Sequence, residues 1–405
     1  MTEREQKALV IAARSKVVKR GDTWIVPSQS SSKEYRVDSD LQHCTCPDFE
    51  TRRQPCKHII AVEYTIEREK SVTETTEGET PITTVTETIK ITKRVTYKQD
   101  WPAYNEAQTK EKALFQKLLH DLCNLIVEPE PKKTGRPRLL YKDMLFGVAF
   151  KVYSMMSSRR FITDLKEAQR KGYVMTVPHF NSIFNYLELK ALTPLLRDLI
   201  TYSSLPLKAL ETDFAIDSSG FSTSQYVRWF DEKYGKEKSQ HDWIKMHLMV
   251  GTKTHIVTSV EITGRHANDS PLLPQLVEKT DKNFTINEVS ADKGYSSLEN
   301  HEAIAKVGAA PYIAFKSNAT GAVGGWFEKM YHLYQYKREE FLAHYHKRSN
   351  SESVFSMVKA KFGSFIRSKG DTAQINEALC KVLCHNICCV IQSMFEFGIE
   401  PTFSS

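Results

Sequence analysis

The sequence predicts an α/β protein: a mixed β-sheet with flanking helices, preceded by an all-helical region and a small ββα module. Three patterns carry that reading. Apolar stretches after residue 206 run first as antiparallel strands and then as strand, helix, strand. Between about 111 and 205 the apolar positions recur at helical spacing. Residues 21–40 alternate like a hairpin, just before a group of cysteines and a short helical stretch.

Composition sets the outer limits. A chain of 405 residues with 40 % apolar content has enough material for two or three domains and a substantial core, which excludes a disordered chain. The 56 Lys and Arg against 49 Asp and Glu leave +7, a surplus that suits a polyanionic partner without establishing one. No apolar run approaches the roughly 20 residues of a membrane span, and the charged start Met1-Thr2-Glu3-Arg4 lacks a signal-peptide apolar region. A soluble, cytoplasmic protein with no membrane partner is the expectation. Eight cysteines are too sparse for a disulfide scaffold, and their grouping, three in 44–56 and four in 380–389, points to local causes.

The elements follow in order. Trp24-Ile25-Val26 and Tyr35-Arg36-Val37 form the hairpin, and Lys57 to Glu69 a helix. A module this small, residues 1–70, needs a staple. The Thr- and Glu-dominated stretch beyond it, 71–110 with some extended structure at 89–97, reads as a linker. The helical region, 111–205, begins with an amphipathic stretch from Glu111 to Leu125 and continues at about 141–156, 158–171, 179–190 and 192–202. Ser157 or Ser158 supplies an N-cap there, and Pro178 a helix start. Strands are expected at 210–216, 243–250, 255–262, 286–291 and 311–315. Gly251-Thr252-Lys253-Thr254 joins the second and third, and a helix at 299–307 precedes the last. Helices at about 336–362 and 373–396 close a domain of residues 206–400.

The first cysteines are spaced for metal. Cys44-Thr45-Cys46 and Cys56-Lys57-His58 offer three thiols and an imidazole, the donors zinc prefers. A closed four-ligand zinc site would give this module folding energy that its core cannot. His43 is an alternative ligand, less favoured because His58 opens the predicted helix, where an inward imidazole is easily held. The pattern resembles the SWIM zinc finger, whose C-x-C and C-x-H ligands follow a hairpin and precede a helix, and residues 22–64 span that arrangement. The resemblance implies Cys44, Cys46, Cys56 and His58 as ligands, with either nucleic acid or protein as the partner.

The acidic residues of the second half suggest a different metal. Asp217 ends an apolar strand in Phe214-Ala215-Ile216-Asp217-Ser218, and Asp292 does the same in Val289-Ser290-Ala291-Asp292. Two carboxylates at one sheet edge are costly unless a cation neutralises them, and oxygen ligands favour Mg2+ or Mn2+ over zinc. Asp213 shares the side-chain parity of Asp217 and ranks second because it lies farther from the turn. On a helix, Tyr345, Arg348, Glu352 and Lys359 would fall within roughly 60° of one another. The bland alternative is a solvated face with an Arg348–Glu352 ion pair, but Phe355 and Phe362 share that side and argue for a face turned to protein or ligand.

These residues resemble the DDE transposases of insertion sequences that carry the Y-R-E-K signature, over about 135–395. Asn376-Glu377-Ala378-Leu379-Cys380 onward is similar to that family's closing segment. The resemblance implies a prokaryotic, nucleoid-associated enzyme with a ribonuclease H-like fold. Asp217, Asp292 and Glu352 would hold two divalent cations about 3.5–4 Å apart for cleavage at transposon ends and strand transfer into target DNA. It further implies phosphate contacts by Tyr345, Arg348 and Lys359, and a homodimer or larger assembly on double-stranded DNA. The short spacing from Asp292 to Glu352 leaves room only for a small insertion, near Gly321 to Trp326. A domesticated non-catalytic DNA-binding protein and a structure-specific nuclease are the competing readings.

Other stretches admit two readings. Lys132-Lys133-Thr134-Gly135-Arg136-Pro137-Arg138 resembles an AT-hook, with Arg136 and Arg138 in a minor groove, or is a basic linker. The helices at 158–171 and 179–190 form a helix-turn-helix on DNA or simply pack, with a wet basic face. Cys380, Cys384 and Cys388 interleave with Leu and Ile as core thiols, and Asp269 or Ser270 caps a helix.

Overall fold

The computed structural model describes residues 3–15, 17–28, 33–76, 100–130, 138–223, 243–264 and 266–403. The proposed extended stretch at 89–97, most of the 71–110 linker, and Arg136 lie outside these residues.

The N-terminal module begins with helix α1 (Glu3–Arg14) and strands β1 (Val18–Arg20), β2 (Thr23–Pro27) and β3 (Glu34–Asp38), followed by helices α2 (Pro47–Arg52) and α3 (Lys57–Thr76). The predicted hairpin is β2–β3, in register from Thr23↔Asp38 to Pro27↔Glu34, and β1 adds a third antiparallel strand. Alternation along the strands turns Trp24, Val26 and Val37 inward, where Leu9 and Ile11 of α1 and Ile59 and Val62 of α3 meet them.

The helical region comprises α4 (Trp101–Cys123), α5 (Tyr141–Ser154), α6 (Ser158–Arg170), α7 (Ser182–Leu187) and α8 (Leu192–Ser204). Asp100 caps α4 by accepting the Ala103 N–H at 3.1 Å. Phe115, Phe146, Phe150 and Phe161 fill the space between α4, α5 and α6. The fourth predicted helix shrinks to six residues, since 178–181 is taken up by a turn.

The sheet contains β4 (Asp213–Ser222), β5 (Trp243–Gly251), β6 (Val257–Gly264), β7 (Glu288–Ala291) and β8 (Ala310–Ile313), in the order β6-β5-β4-β7-β8. The first three strands are antiparallel, and β4, β7 and β8 run parallel. Helices α9 (Leu273–Asp281) and α10 (Leu298–Lys306) contribute Leu276, Val277 and Ile304, which join Phe214, Ile216, Met249 and Val289 on one face. The first strand was expected to stop at Asp217. It continues to Ser222 because β5 supplies partners as far as Ser222↔Trp243, whereas pairing with β7 ends at Ile216↔Ala291. Asp217 is therefore mid-strand on one side and at a strand end on the other.

Beyond β8 come α11 (Gly325–Tyr336), α12 (Arg338–Tyr345), a single 3-10 turn over His346–Arg348, α13 (Ser349–Phe362) and α14 (Asp371–Glu396). The one helix expected at 336–362 is thus broken twice, at Lys337 and at 346–348. The second break turns Lys347 and Arg348 toward carboxylates of the sheet, so tertiary ion pairs override the helical period. Helix α14 is long and apolar enough to cross a membrane, yet 78 % of its apolar window is buried inside the protein. Cys380 and Cys384 lie in that buried part, as core thiols.

The chain divides into two compact units, residues 1–97 with 315–345 and residues 98–314 with 346–405. The first contains the N-terminal module and the segment that interrupts the sheet domain. Tyr336 belongs to the module's core and donates its hydroxyl to the Ala12 carbonyl at 3.1 Å, and its ring lies 6.2 Å from Tyr64.

In the second unit, Asn386 of α14 is fully buried and ties three elements together. It accepts the Val257 N–H at 2.9 Å and donates to the carbonyls of Val257 (2.7 Å) and Ile200 (3.2 Å). Asn386→Leu should keep the branched shape but strand these groups, costing about 3 kcal/mol or more, and chemical denaturation would measure it.

Candidate active site and metal centres

The cysteine and histidine donors converge. Cys44 lies in an isolated bridge to Val37, Cys46 caps α2 by accepting the Phe49 N–H, and Cys56 and His58 flank the start of α3. All four are buried, and their ligand atoms lie within 4.8 Å of one another. His58 Nδ1 is 4.0 Å from Cys44 Sγ and 3.9 Å from Cys56 Sγ, close to the separations expected around one tetrahedral zinc. The thiols resist ionising together: the hydrogen bond with Cys56, and then burial, push Cys44 up, while Cys56 is pushed down to about 3. A shared cation relieves that conflict. His43 is exposed and set edge-on to Phe49 at 5.2 Å, outside the cluster.

The carboxylates of the second unit gather on the sheet face covered by α13. Asp213 and Asp217 alternate to one side of β4; parallel pairing sets Glu288 beside Asp213, and Asp292 follows directly after the last pair, Ile216↔Ala291, near enough for its charge to act on Asp217. Asp217 and Asp292 share a local geometry. Each holds one carboxylate oxygen on the N–H of the next residue, Ser218 at 2.8 Å and Lys293 at 2.7 Å, which leaves the second oxygen available. Glu352 enters from the first turn of α13. One nitrogen, Arg348 Nη1, lies 2.7 Å from Glu352 Oε1 and 3.7 Å from Asp217 Oδ2.

The electrostatics concentrate negative charge at Asp217. Burial pushes the Asp217 carboxyl up. The Ser218 N–H and Arg348 oppose that shift, and the charges of Glu352 and Asp292 add to it. Glu352 is more than half exposed, so the cluster opens to solvent on that side. Such a group of oxygen donors suits Mg2+ or Mn2+, with phosphate and water completing the shell.

The other candidates are placed as follows. Lys359 Nζ donates to Ser219 Oγ at 2.6 Å and sits 5.1 Å over the Phe221 ring, and burial pulls its ammonium down. Tyr345 ends α12 stacked on Phe341 at 6.2 Å, in the first unit. The expected continuous stripe from Tyr345 to Lys359 therefore does not exist, because the 3-10 turn interrupts the helix. Arg138 lies 4.1 Å over the Tyr141 ring and donates to the Pro129 carbonyl, a packed rather than an outstretched arrangement. Asp269 makes no cap bond. It pairs with Lys245 and lies 3.5 Å from His247, while Ser270 accepts from Asn300.

Sequence reasoning missed Lys347, which bridges Asp213 at 2.7 Å and Glu288 at 2.8 Å. Asp213 is thereby compensated by a protein cation. Only the register of β4 on β7 reveals this, and a single sequence does not contain it. Tyr295 was also missed. Its hydroxyl is buried beside the cluster and pushed up by burial, then by the charges of Asp269 and Asp217.

The first unit thus holds a four-donor thiol and imidazole cluster, and the second a set of carboxylates on a mixed sheet. Residues 208–387 match the family described as Transposase DDE domain, and residues 35–67 match the SWIM zinc finger. The chain joins a SWIM zinc finger to a transposase DDE domain. No solved structure matches it.

Proposed function

We propose that the chain is a DNA transposase that cleaves at transposon ends and joins the freed end to target DNA. Asp217, Asp292 and Glu352 would be its metal-holding carboxylates. The observation that carries this reading is the approach of Asp217 and Glu352 to one Arg348 nitrogen, with Asp292 close enough for its charge to act on Asp217. The strand order, with three antiparallel strands followed by two parallel ones, supports a ribonuclease H-like core.

Divalent cations, when bound, would activate water and then a 3′-hydroxyl against phosphodiesters, so no protein nucleophile is needed. The chain's own residues orient and neutralise. The Ser218 and Lys293 N–H groups fix the two aspartates. Arg348 holds Glu352 and is placed to swing onto a scissile phosphate. Lys359, steered by Ser219, offers a second cation to a flanking phosphate. Pairing two transposon ends calls for a homodimer or larger assembly on DNA.

The test incubates purified protein with labelled element ends, a supercoiled target and Mg2+. Joined products support transposition. Cleavage without joining would indicate a nuclease, and binding without cleavage a non-catalytic DNA-binding protein. In the same assay Asp217→Asn should abolish cleavage, whereas Asp213→Asn should leave it within a few-fold, because Lys347 already neutralises Asp213.

A further inference from the structure

A cavity of about 350 Å3 lies between the end of α5 and the start of α6. Lys151, Ser158, Arg159, Phe180, Phe184 and Arg367 line it, and none of the acidic-centre carboxylates does. Ser157 holds the N-cap position of the 13-residue α6 but makes no side-chain cap bond, so the positive end of that helix is left open. Ser158 is 4 % exposed, and its Oγ is buried without a hydrogen-bond partner among the described residues.

The cavity's charge is one-sided. Its acid, Glu377, is engaged by the backbone N–H groups of Arg367 at 3.0 Å and Ser368 at 2.8 Å. Lys381 is spent on the carbonyls of Gly363 and Phe365. Arg159 and Arg367 line the rim with the half-buried Lys151, whose ammonium is pulled down by burial and then by Arg367; one Arg367 nitrogen, Nη1, donates to the Met155 carbonyl at 2.9 Å. A buried hydroxyl, a helix N-terminus and three cations, with the one acid already occupied, fit a ligand that only accepts hydrogen bonds and carries negative charge. Phe184, half exposed, and Phe180 beneath the Arg159 guanidinium at 5.0 Å give an apolar wall for the sugar next to that charge.

We propose that this cavity seats a phosphodiester of bound DNA and so fixes the duplex on the helical region, away from the carboxylates that cut it. The assignment to DNA rests on the transposase reading, whereas the anion site itself does not.

The test acetylates the full-length, zinc-loaded protein under limiting reagent and follows Lys151 by mass spectrometry. Inorganic phosphate at ten times its Kd should slow Lys151 labelling about tenfold, and chloride of equal ionic strength should not. A saturating duplex should protect Lys151 equally. The Lys151→Met/Arg159→Ala double variant should lower the salt slope of duplex binding by about 0.9, the loss of one phosphate contact. Unchanged labelling in phosphate overturns the site. Protection by phosphate with no protection by a bound duplex, and an unchanged salt slope, overturns the DNA assignment but spares the transposase reading. Failure of the wild-type protein to bind duplex at all overturns both.

Discussion

Glu352→Gln is expected to lose metal-dependent strand cleavage by about 10³-fold or more while retaining DNA binding. Several kcal/mol of charge stabilisation vanish with the carboxylate, at about 1.4 kcal/mol per factor of ten. The substitution keeps the side chain's size and its place on α13, so lost packing does not explain the result. It also releases Arg348. Its nitrogen is held at 2.7 Å by Glu352 and lies 3.7 Å from Asp217, so with Glu352 neutral the guanidinium is free to close on Asp217 and compete with the cation. Single-turnover cleavage with matched binding curves separates the two effects. Retained cleavage would refute the role given to Glu352.

Removing zinc should have the second large effect, on folding. Structural zinc contributes on the order of 10 kcal/mol to a small module, more than the core around Trp24 and Val26 can replace. Cys46→Ser should therefore release the metal and unfold the N-terminal module. The consequence reaches farther along the chain, because Tyr336 shares that core and bonds to Ala12. Limited proteolysis should then cut within both 33–76 and 315–345, where the zinc-loaded protein resists. Cuts confined to the N-terminal part would show that the distant segment holds its structure independently.

What the sequence made legible was local. Cys44, Cys46, Cys56 and His58 lie within fifteen positions, so the spacing alone exposes a four-donor set. Asp217 and Asp292 stood out because an apolar run ends at each, with small residues after Asp217 and a glycine two positions after Asp292. Non-local information was hidden. The pairing of Asp213 with Glu288 under Lys347 depends on strand register, and the break at 346–348 on ion pairs to a strand over a hundred residues earlier. Periodicity therefore extended one helix through Tyr345, where the chain passes from one unit to the other. The partnership of Tyr336 with Ala12 left no sequence signal, since a tyrosine on an amphipathic helix can face any apolar surface. The cavity beside Ser158 is lined by residues from 151 to 381, and which of them meet depends on tertiary packing.

The central claim is that Asp217, Asp292 and Glu352 surround one cation-binding centre. Replacing Mg2+ with Fe2+ and adding ascorbate and peroxide generates hydroxyl radicals at the bound metal, and mass spectrometry locates the backbone cuts. The account predicts cuts clustered near residues 217, 292 and 352 together, suppressed by excess Mg2+. Cuts near only one of the three, or none that Mg2+ suppresses, would contradict it.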